Sequence, residues 1–169
     1  MNQINKWEQA VKLKQNPLTS SNFPETEVFS DDTLQEILKR SSFVYVKPIG
    51  GKEGRGVIRI SKNSDGTYSI NGFTNTGLEI DENFISLENV MTFLHSNYIQ
   101  KSLQSYIIQQ GVSSFTPDGQ ALGVRVHIQY VQDKWVLGGM LGKLGNRDDG
   151  IVNRNRGSIN RESNKEKSF

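Results

Sequence analysis

Residues 43–60, with the sequence FVYVKPIGGKEGRGVIRI, decide the fold of this chain. The aromatic and β-branched residues 43–46 predict a strand that ends near Lys47, because Pro48 cannot donate to a strand ladder. Four glycines follow within seven residues, and strand character then returns. The sequence therefore predicts two strands joined by a glycine-rich loop at 50–56.

A loop of this kind can bind phosphate, because bare backbone N–H groups approach an anion closely. Lys52 and Arg55 would add positive charge. The loop is not a P-loop, since no Gly-Lys-Ser/Thr opens a helix, and it is not a dinucleotide fingerprint, since it leads into a strand. From these residues alone, a phosphate-binding loop and a flexible hairpin turn are equally consistent.

The composition indicates a soluble protein of one domain or two tightly joined lobes. The chain has 169 residues and no cysteine, which excludes disulfides, thiolate metal sites and a thiol nucleophile. No apolar run is long enough to span a bilayer, and residues 1–14 lack the apolar core of a signal peptide. We therefore expect a cytoplasmic protein with no membrane partner.

The charge of the chain is uneven. The net charge is +2, and residues 151–169 carry five cations and two anions, which leaves the body close to neutral. A near-neutral body argues against a general nucleic-acid-binding surface, so nucleic acid is not an expected partner. We expect the basic tail to be a solvated, disordered end.

Hydrophobic periodicity predicts an α+β fold. The helices are expected at 4–15, around the apolar stripe Leu34, Ile37 and Leu38, and at 86–94. The strands are expected at 27–29, 43–46, 57–60, 67–73, 105–111, 122–131 and 135–143. These strands are expected to form two antiparallel groups, one within 43–73 and the other within 105–143, and a nucleotide would lie between two such layers.

Several stretches together resemble the YheC/YheD type of ATP-grasp proteins, which are associated with bacterial endospore coats. The most specific match is the strand 44–48 followed by Gly54-Arg55-Gly56 and the strand 57–60. Weaker matches lie at 5–7, 18–26, 106–111, 124–126, 135–136 and 151–153. They follow the order of the family over nearly the whole chain.

The resemblance implies two α+β lobes that clamp ATP. It predicts a helical lead-in at 1–40, a small lobe with the glycine-rich loop at 41–104, and a partial second lobe with the basic tail at 105–169. The fold is therefore expected to be ATP-grasp-like, with an incomplete second lobe.

The resemblance also implies the site. It places Lys47 on the ATP phosphates, the 50–56 loop over them as a flexible lid, residues 109–111 at the hinge that meets adenine, and Arg125 as the catalytic cation. The full set of residues implied to contact ATP is Lys47, Gly50, Gly51, Lys52, Gly54, Arg55, Gly56, Gln109, Gln110, Gly111, Lys143 and Asn153. Without the resemblance, Lys47 is better explained as a surface lysine, and Arg125 is equally well explained as an arginine on the surface of the sheet.

The chain departs from the family pattern at two places. Gly123 stands where the family has the aspartate of an Asp-x-Arg pattern. The family also uses Mg²⁺, but residues 157–169 do not match the section that carries its ligands. Glu162 and Asn164 form a Glu-x-Asn without the strand context that a metal site requires, so no metal site is predicted.

The expected function is therefore that of an ATP-binding protein that resembles ATP-dependent carboxylate–amine or carboxylate–thiol ligases and does not itself turn over ATP. The alternative is a non-catalytic nucleotide-binding or structural protein associated with the spore coat. The expected partners are ATP, a carboxylate substrate of unknown identity, and a second copy of the chain that covers apolar surface on the second lobe.

Overall fold

The computed structural model describes residues 4–50, 54–99 and 106–145, together with the backbone of 159–162. The chain divides into two compact units, Met1–Val112 and Ser113–Phe169. Within the described residues the order of elements is α1 (Lys6–Gln15), β1 (Thr26–Val28), α2 (Asp31–Arg40), β2 (Phe43–Pro48), β3 (Ile58–Lys62), β4 (Tyr68–Phe73), β5 (Glu79–Phe84), α3 (Leu87–Asn97), β6 (Tyr106–Gln110), β7 (Leu122–Val131), β8 (Lys134–Leu144) and β9 (Ile159–Glu162).

The first unit is built on a six-stranded antiparallel sheet with the strand order β1-β6-β2-β3-β4-β5. Alternate residues of the central strands are buried on one face, as the period of two in a strand requires. Helices α2 and α3 contact strands of this sheet. The core consists of the buried apolar residues from that face and from these helices, among them Leu34, Ile37, Val44, Val46, Ile58, Ile60, Ile70, Val90, Leu94 and Ile108.

Each helix of the first unit begins at a side chain that caps its free N–H groups. Asn5 and Ser30 form capping boxes with Glu8 and Thr33, and Ser86 accepts a hydrogen bond from the backbone of the third residue of α3. The three predicted helices are therefore confirmed.

The prediction for 105–111 has the right secondary structure but the wrong sheet. Strand β6 pairs with β1 and β2 in the first unit, whereas the sequence analysis grouped it with the later strands. The predicted boundary at 104/105 therefore differs from the division at 112/113. The reason is that the pairing of β6 with β2 joins segments about sixty residues apart, and no local pattern encodes such a contact.

The second unit contains a long antiparallel ribbon of β7 and β8, with β9 added on the free side of β8. Gln132 and Asp133 have φ values of 49° and 60° at the turn of the ribbon, the conformation of a tight hairpin turn. Residues 159–162 were expected to belong to a solvated tail, and that expectation is wrong, since they pair with 141–144.

Within the described residues, no helix is long and apolar enough to cross a membrane.

Gly111 and Gly50 give a matched test of packing at the centre of the sheet. A Cβ on Gly111 would lie 2.1 Å from two ring atoms of Phe43, whereas one on Gly50 would have nothing within 4 Å. Neither glycine has a positive φ, so steric overlap decides the difference. We expect Gly111→Ala to lower the free energy of unfolding by about 1–3 kcal/mol and Gly50→Ala to change it by less than about 0.5 kcal/mol, measured by urea unfolding. Equal effects of the two substitutions would contradict the packing of Phe43 on Gly111.

Candidate functional site

One row of directly paired residues crosses all six strands on the face of the sheet opposite to the core. We call this set the polar row. Its members pair in the order Thr26, Gln109, Tyr45, Arg59, Asn71 and Asp81. Because paired residues project to the same side of a sheet, these polar side chains share one face.

Lys47 lies beside the polar row, two residues beyond Tyr45 on β2. Its Nζ donates a hydrogen bond of 2.6 Å to Oε1 of Gln109 and lies 5.1 Å from the centre of the Tyr45 ring. The side chain is partly buried. The sheet therefore places this ammonium group against a neutral amide and the face of an aromatic ring.

Gln109 is fixed in turn by strand β1. Its Nε2 donates to Oγ1 of Thr26 at 2.8 Å, and Thr26, which is fully buried, donates to the carbonyl oxygen of Pro24 at 2.9 Å. With Nε2 bound to threonine, Oε1 is directed at Lys47. This chain of hydrogen bonds holds the Lys47 ammonium in one position.

The environment makes Lys47 an unusual lysine. Burial, and to a smaller extent the nearby positive charge of Lys6, lowers the pKa of Lys47 from 10.5 to about 8. A group with that pKa remains about nine-tenths protonated at pH 7. Lys47 is therefore still a cation under neutral conditions, but one that an anion would stabilise strongly.

Lys6, at the start of α1, brings a second cation to the same place. Its Nζ donates to the carbonyl oxygens of Pro48 at 2.9 Å and Gly50 at 3.1 Å, and its backbone N–H bonds to the carbonyl of Ile49. Burial lowers the pKa of Lys6 as well. Helix α1 is thus fastened to the first residues of the glycine-rich loop.

The end of the glycine-rich loop is held against the turn that follows β4. Gly54 and Gly56 have positive φ values of 73° and 67°, which favour glycine. A Cβ on Gly56 would meet Oδ1 of Asn75 at 2.1 Å, and the Gly56 N–H bonds to the carbonyl of Thr74. Arg55 between them is exposed. This part of the loop therefore needs its glycines for close packing.

The predicted hinge residues divide between the two faces of the sheet. Gln109 lies on the face of Lys47, while the Gln110 side chain accepts a hydrogen bond from the backbone N–H of Glu25. The backbone N–H of Gln110 bonds to Glu25 and that of Gly111 to Phe43. Gln110 and Gly111 thus anchor the end of β6, and Gln109 alone of these three has its side chain at Lys47.

The remaining predicted site residues lie elsewhere. Arg125 on β7 and Lys143 on β8 share the face of the ribbon on which Gly123 is paired with Lys143. Both belong to the second unit, whereas Lys47 belongs to the first. Gly51, Lys52 and Asn153 lie outside the described residues.

The described part of the chain does not fit a metal site. No three histidine, aspartate or glutamate side chains within it come close enough together to hold a cation. The side chains at 148–149 and at 162–164 are not described.

The contributions of Lys6 and Thr26 were not predicted from the sequence. Both residues lie in stretches that match the family, Asn5-Lys6-Trp7 and the segment ending in Thr26, but neither stretch indicated a role by itself. Their contacts join segments far apart in the chain, so sequence spacing could not reveal them.

Comparison with known proteins assigns the chain to a family. A family model described as YheC/D-like ATP-grasp matches residues 2–165, and the chain belongs to that family. It is also similar to the endospore coat-associated protein YheD of Bacillus subtilis (strain 168), with 24% identity over 147 residues. That match covers 86% of this chain and 32% of the relative, so the chain spans about a third of the relative's length. No solved structure matches the chain at a significant level.

Replacing Lys6 tests the coupling between the two lysines. Lys6→Met removes a nearby positive charge, so the pKa of Lys47 is expected to rise above about 8. The measurement is a pH titration of the Lys47 side-chain resonances by NMR. Lys12→Met, which removes an exposed lysine from the same helix, should leave the titration unchanged. An unchanged or lower pKa in Lys6→Met would contradict the proximity of the two charges.

Proposed function

We propose that this chain binds ATP on the polar face of the first unit, with Lys47 in contact with the phosphates. The observation that carries the proposal is the uncompensated charge of Lys47. This partly buried ammonium donates its hydrogen bond to the neutral Gln109, and within the described residues it forms no ion pair with a carboxylate. A polyphosphate would supply the missing negative charge.

The surroundings of Lys47 support a phosphate ligand over a carboxylate or a neutral one. Lys6 brings a second positive charge, and its Nζ donates hydrogen bonds to the carbonyl oxygens of Pro48 and Gly50. Two cations at the start of a glycine-rich loop suit a ligand with several negative charges. Membership of the ATP-grasp family makes ATP the natural candidate.

The family implies further contacts between this chain and ATP. Backbone N–H groups of 50–56, with Lys52 and Arg55, would cover the phosphates, and the hinge at 109–111 would meet adenine. The family also implies phosphate contacts for Arg125, Lys143 and Asn153. Two of these, Arg125 and Lys143, share one face of the ribbon, which supports a common role.

We propose nucleotide binding for this chain, and no ligase activity. In ligases of this type ATP activates a carboxylate as an acyl phosphate, which a nucleophile then attacks. Such a transfer needs charge neutralisation around the moving phosphoryl group and an oriented arginine. Gly123 supplies no carboxylate to orient Arg125, so we expect no sustained ADP release. The name of the YheD relative supports the spore coat as the setting in which this chain binds ATP.

Substitution of Lys47 tests the phosphate contact. Lys47→Met keeps the apolar stem and removes the charge, so ATP binding is expected to weaken by about 10- to 150-fold, as for the loss of a charge-assisted hydrogen bond. The control is Lys62→Met, since Lys62 is an exposed lysine at the end of β3. Isothermal titration calorimetry measures both. ATP affinity that is equal in the two variants, or no binding by the unmodified chain, would refute the proposal.

The pH dependence of binding tests the same contact without removing it. Lys47 is charged below its pKa of about 8 and loses its charge as the pH rises through that value. ATP affinity should therefore fall between pH 7 and 9, by up to about tenfold for each pH unit above the pKa.

Lys47→Arg provides the comparison for this pH series. Arginine stays protonated throughout the range, so the affinity of this variant should not fall in the same way. A decrease of equal size in Lys47→Arg would assign the pH dependence to another group.

A further inference from the structure

The ribbon of the second unit exposes a broad apolar surface. We call it the ribbon apolar face. Its seven large side chains are each between 48% and 73% exposed: Val124, Val126, Ile128, Tyr130, Trp135, Leu137 and Met140. Single exposed apolar residues are common in proteins, but a continuous set of this size indicates an interaction surface.

The strand pairing shows that these side chains share one face. Val126 is paired with Met140, Ile128 with Leu137, and Tyr130 with Trp135. Met140 and Leu137 are three residues apart, so regular alternation would put them on opposite faces. The bulge at Gly138 takes up the extra residue and restores the apolar side chains to one side.

The opposite face of the ribbon has a different character. It carries Arg125, Lys134 and Lys143 beside the exposed Val131 and Val136, and neither β7 nor β8 contains an acidic residue. Two copies of the ribbon would repel each other through this cationic face. The ribbon apolar face has no charge and is complementary to itself.

The size of the surface fits one half of a stable interface. Seven large apolar side chains, each about half exposed, leave an area on the order of 800 Å², which is what one partner contributes to an interface of standard size. Two sheet faces can stack about 10 Å apart with their side chains interdigitated. Tyr130 and Trp135, with ring centres 5.0 Å apart, provide the kind of aromatic anchor that dominates binding energy in interfaces.

We propose that the ribbon apolar face docks the same face of a second copy of this chain, forming a symmetric dimer. In a two-fold symmetric interface both copies use the same surface patch: if residue i of one copy contacts residue j of the other, residue j of the first contacts residue i of the second. A single self-complementary patch therefore suffices. The proposed contacts involve no nucleotide, so the dimer would form without ATP.

Adjacent residues on opposite faces of β7 provide a matched experiment. Ile128→Lys puts a charge into the proposed interface, whereas His127→Lys puts the same charge on the exposed opposite face. The oligomeric state of the full chain is measured by sedimentation equilibrium from about 1 to 100 µM. We expect the unmodified chain and His127→Lys to dimerise, and Ile128→Lys to raise the dimer dissociation constant about tenfold or more.

A second variant distinguishes loss of the dimer from loss of the fold. Trp135→Gln changes the most exposed member of the face, at 73%, and should weaken the dimer while the circular dichroism spectrum stays unchanged. A chain that stays monomeric throughout the range would overturn the proposal and assign the face to another segment of the chain or to a different protein. A dimer that persists in Ile128→Lys and Trp135→Gln would also overturn it.

Discussion

The central constraint in this protein is the charge of Lys47 on the polar face of the sheet. The ammonium is partly buried, donates a hydrogen bond to the neutral Gln109, and has a pKa of about 8. A protein retains such a group at a cost, since burial disfavours the charged form. We propose that a negatively charged ligand offsets this cost when it binds.

The rest of the first unit keeps that ammonium in place. Strand β6 must lie between β1 and β2 for Gln109 to bridge Thr26 and Lys47. Helix α1 must begin beside β2 for Lys6 to reach the carbonyl groups of Pro48 and Gly50. The fold therefore assembles the site from segments that are distant in sequence, and no single motif contains it.

Because the site is assembled from distant segments, the sequence predicted the local elements but not the contacts between them. The helices were predicted because their apolar stripes are local signals, and the strands around the glycine-rich loop were predicted because runs of aromatic and β-branched residues are local signals too. Family resemblance supplied Lys47 and Gln109. The pairing of β6 with β2, the role of Lys6 and the bulge at Gly138 depend on contacts or register that local patterns do not specify. The strand at 159–162 was missed because its sequence is polar and charged, so only its pairing with β8 identifies it.

The most direct test of the account is a pH titration of the Lys47 side chain by NMR in the absence and presence of ATP. The account predicts a pKa of about 8 without nucleotide and a clear rise with ATP, because a bound phosphate stabilises the charged form. A pKa that stays the same at saturating ATP would show that the nucleotide does not contact Lys47, and a pKa near 10.5 without ATP would contradict the buried site itself.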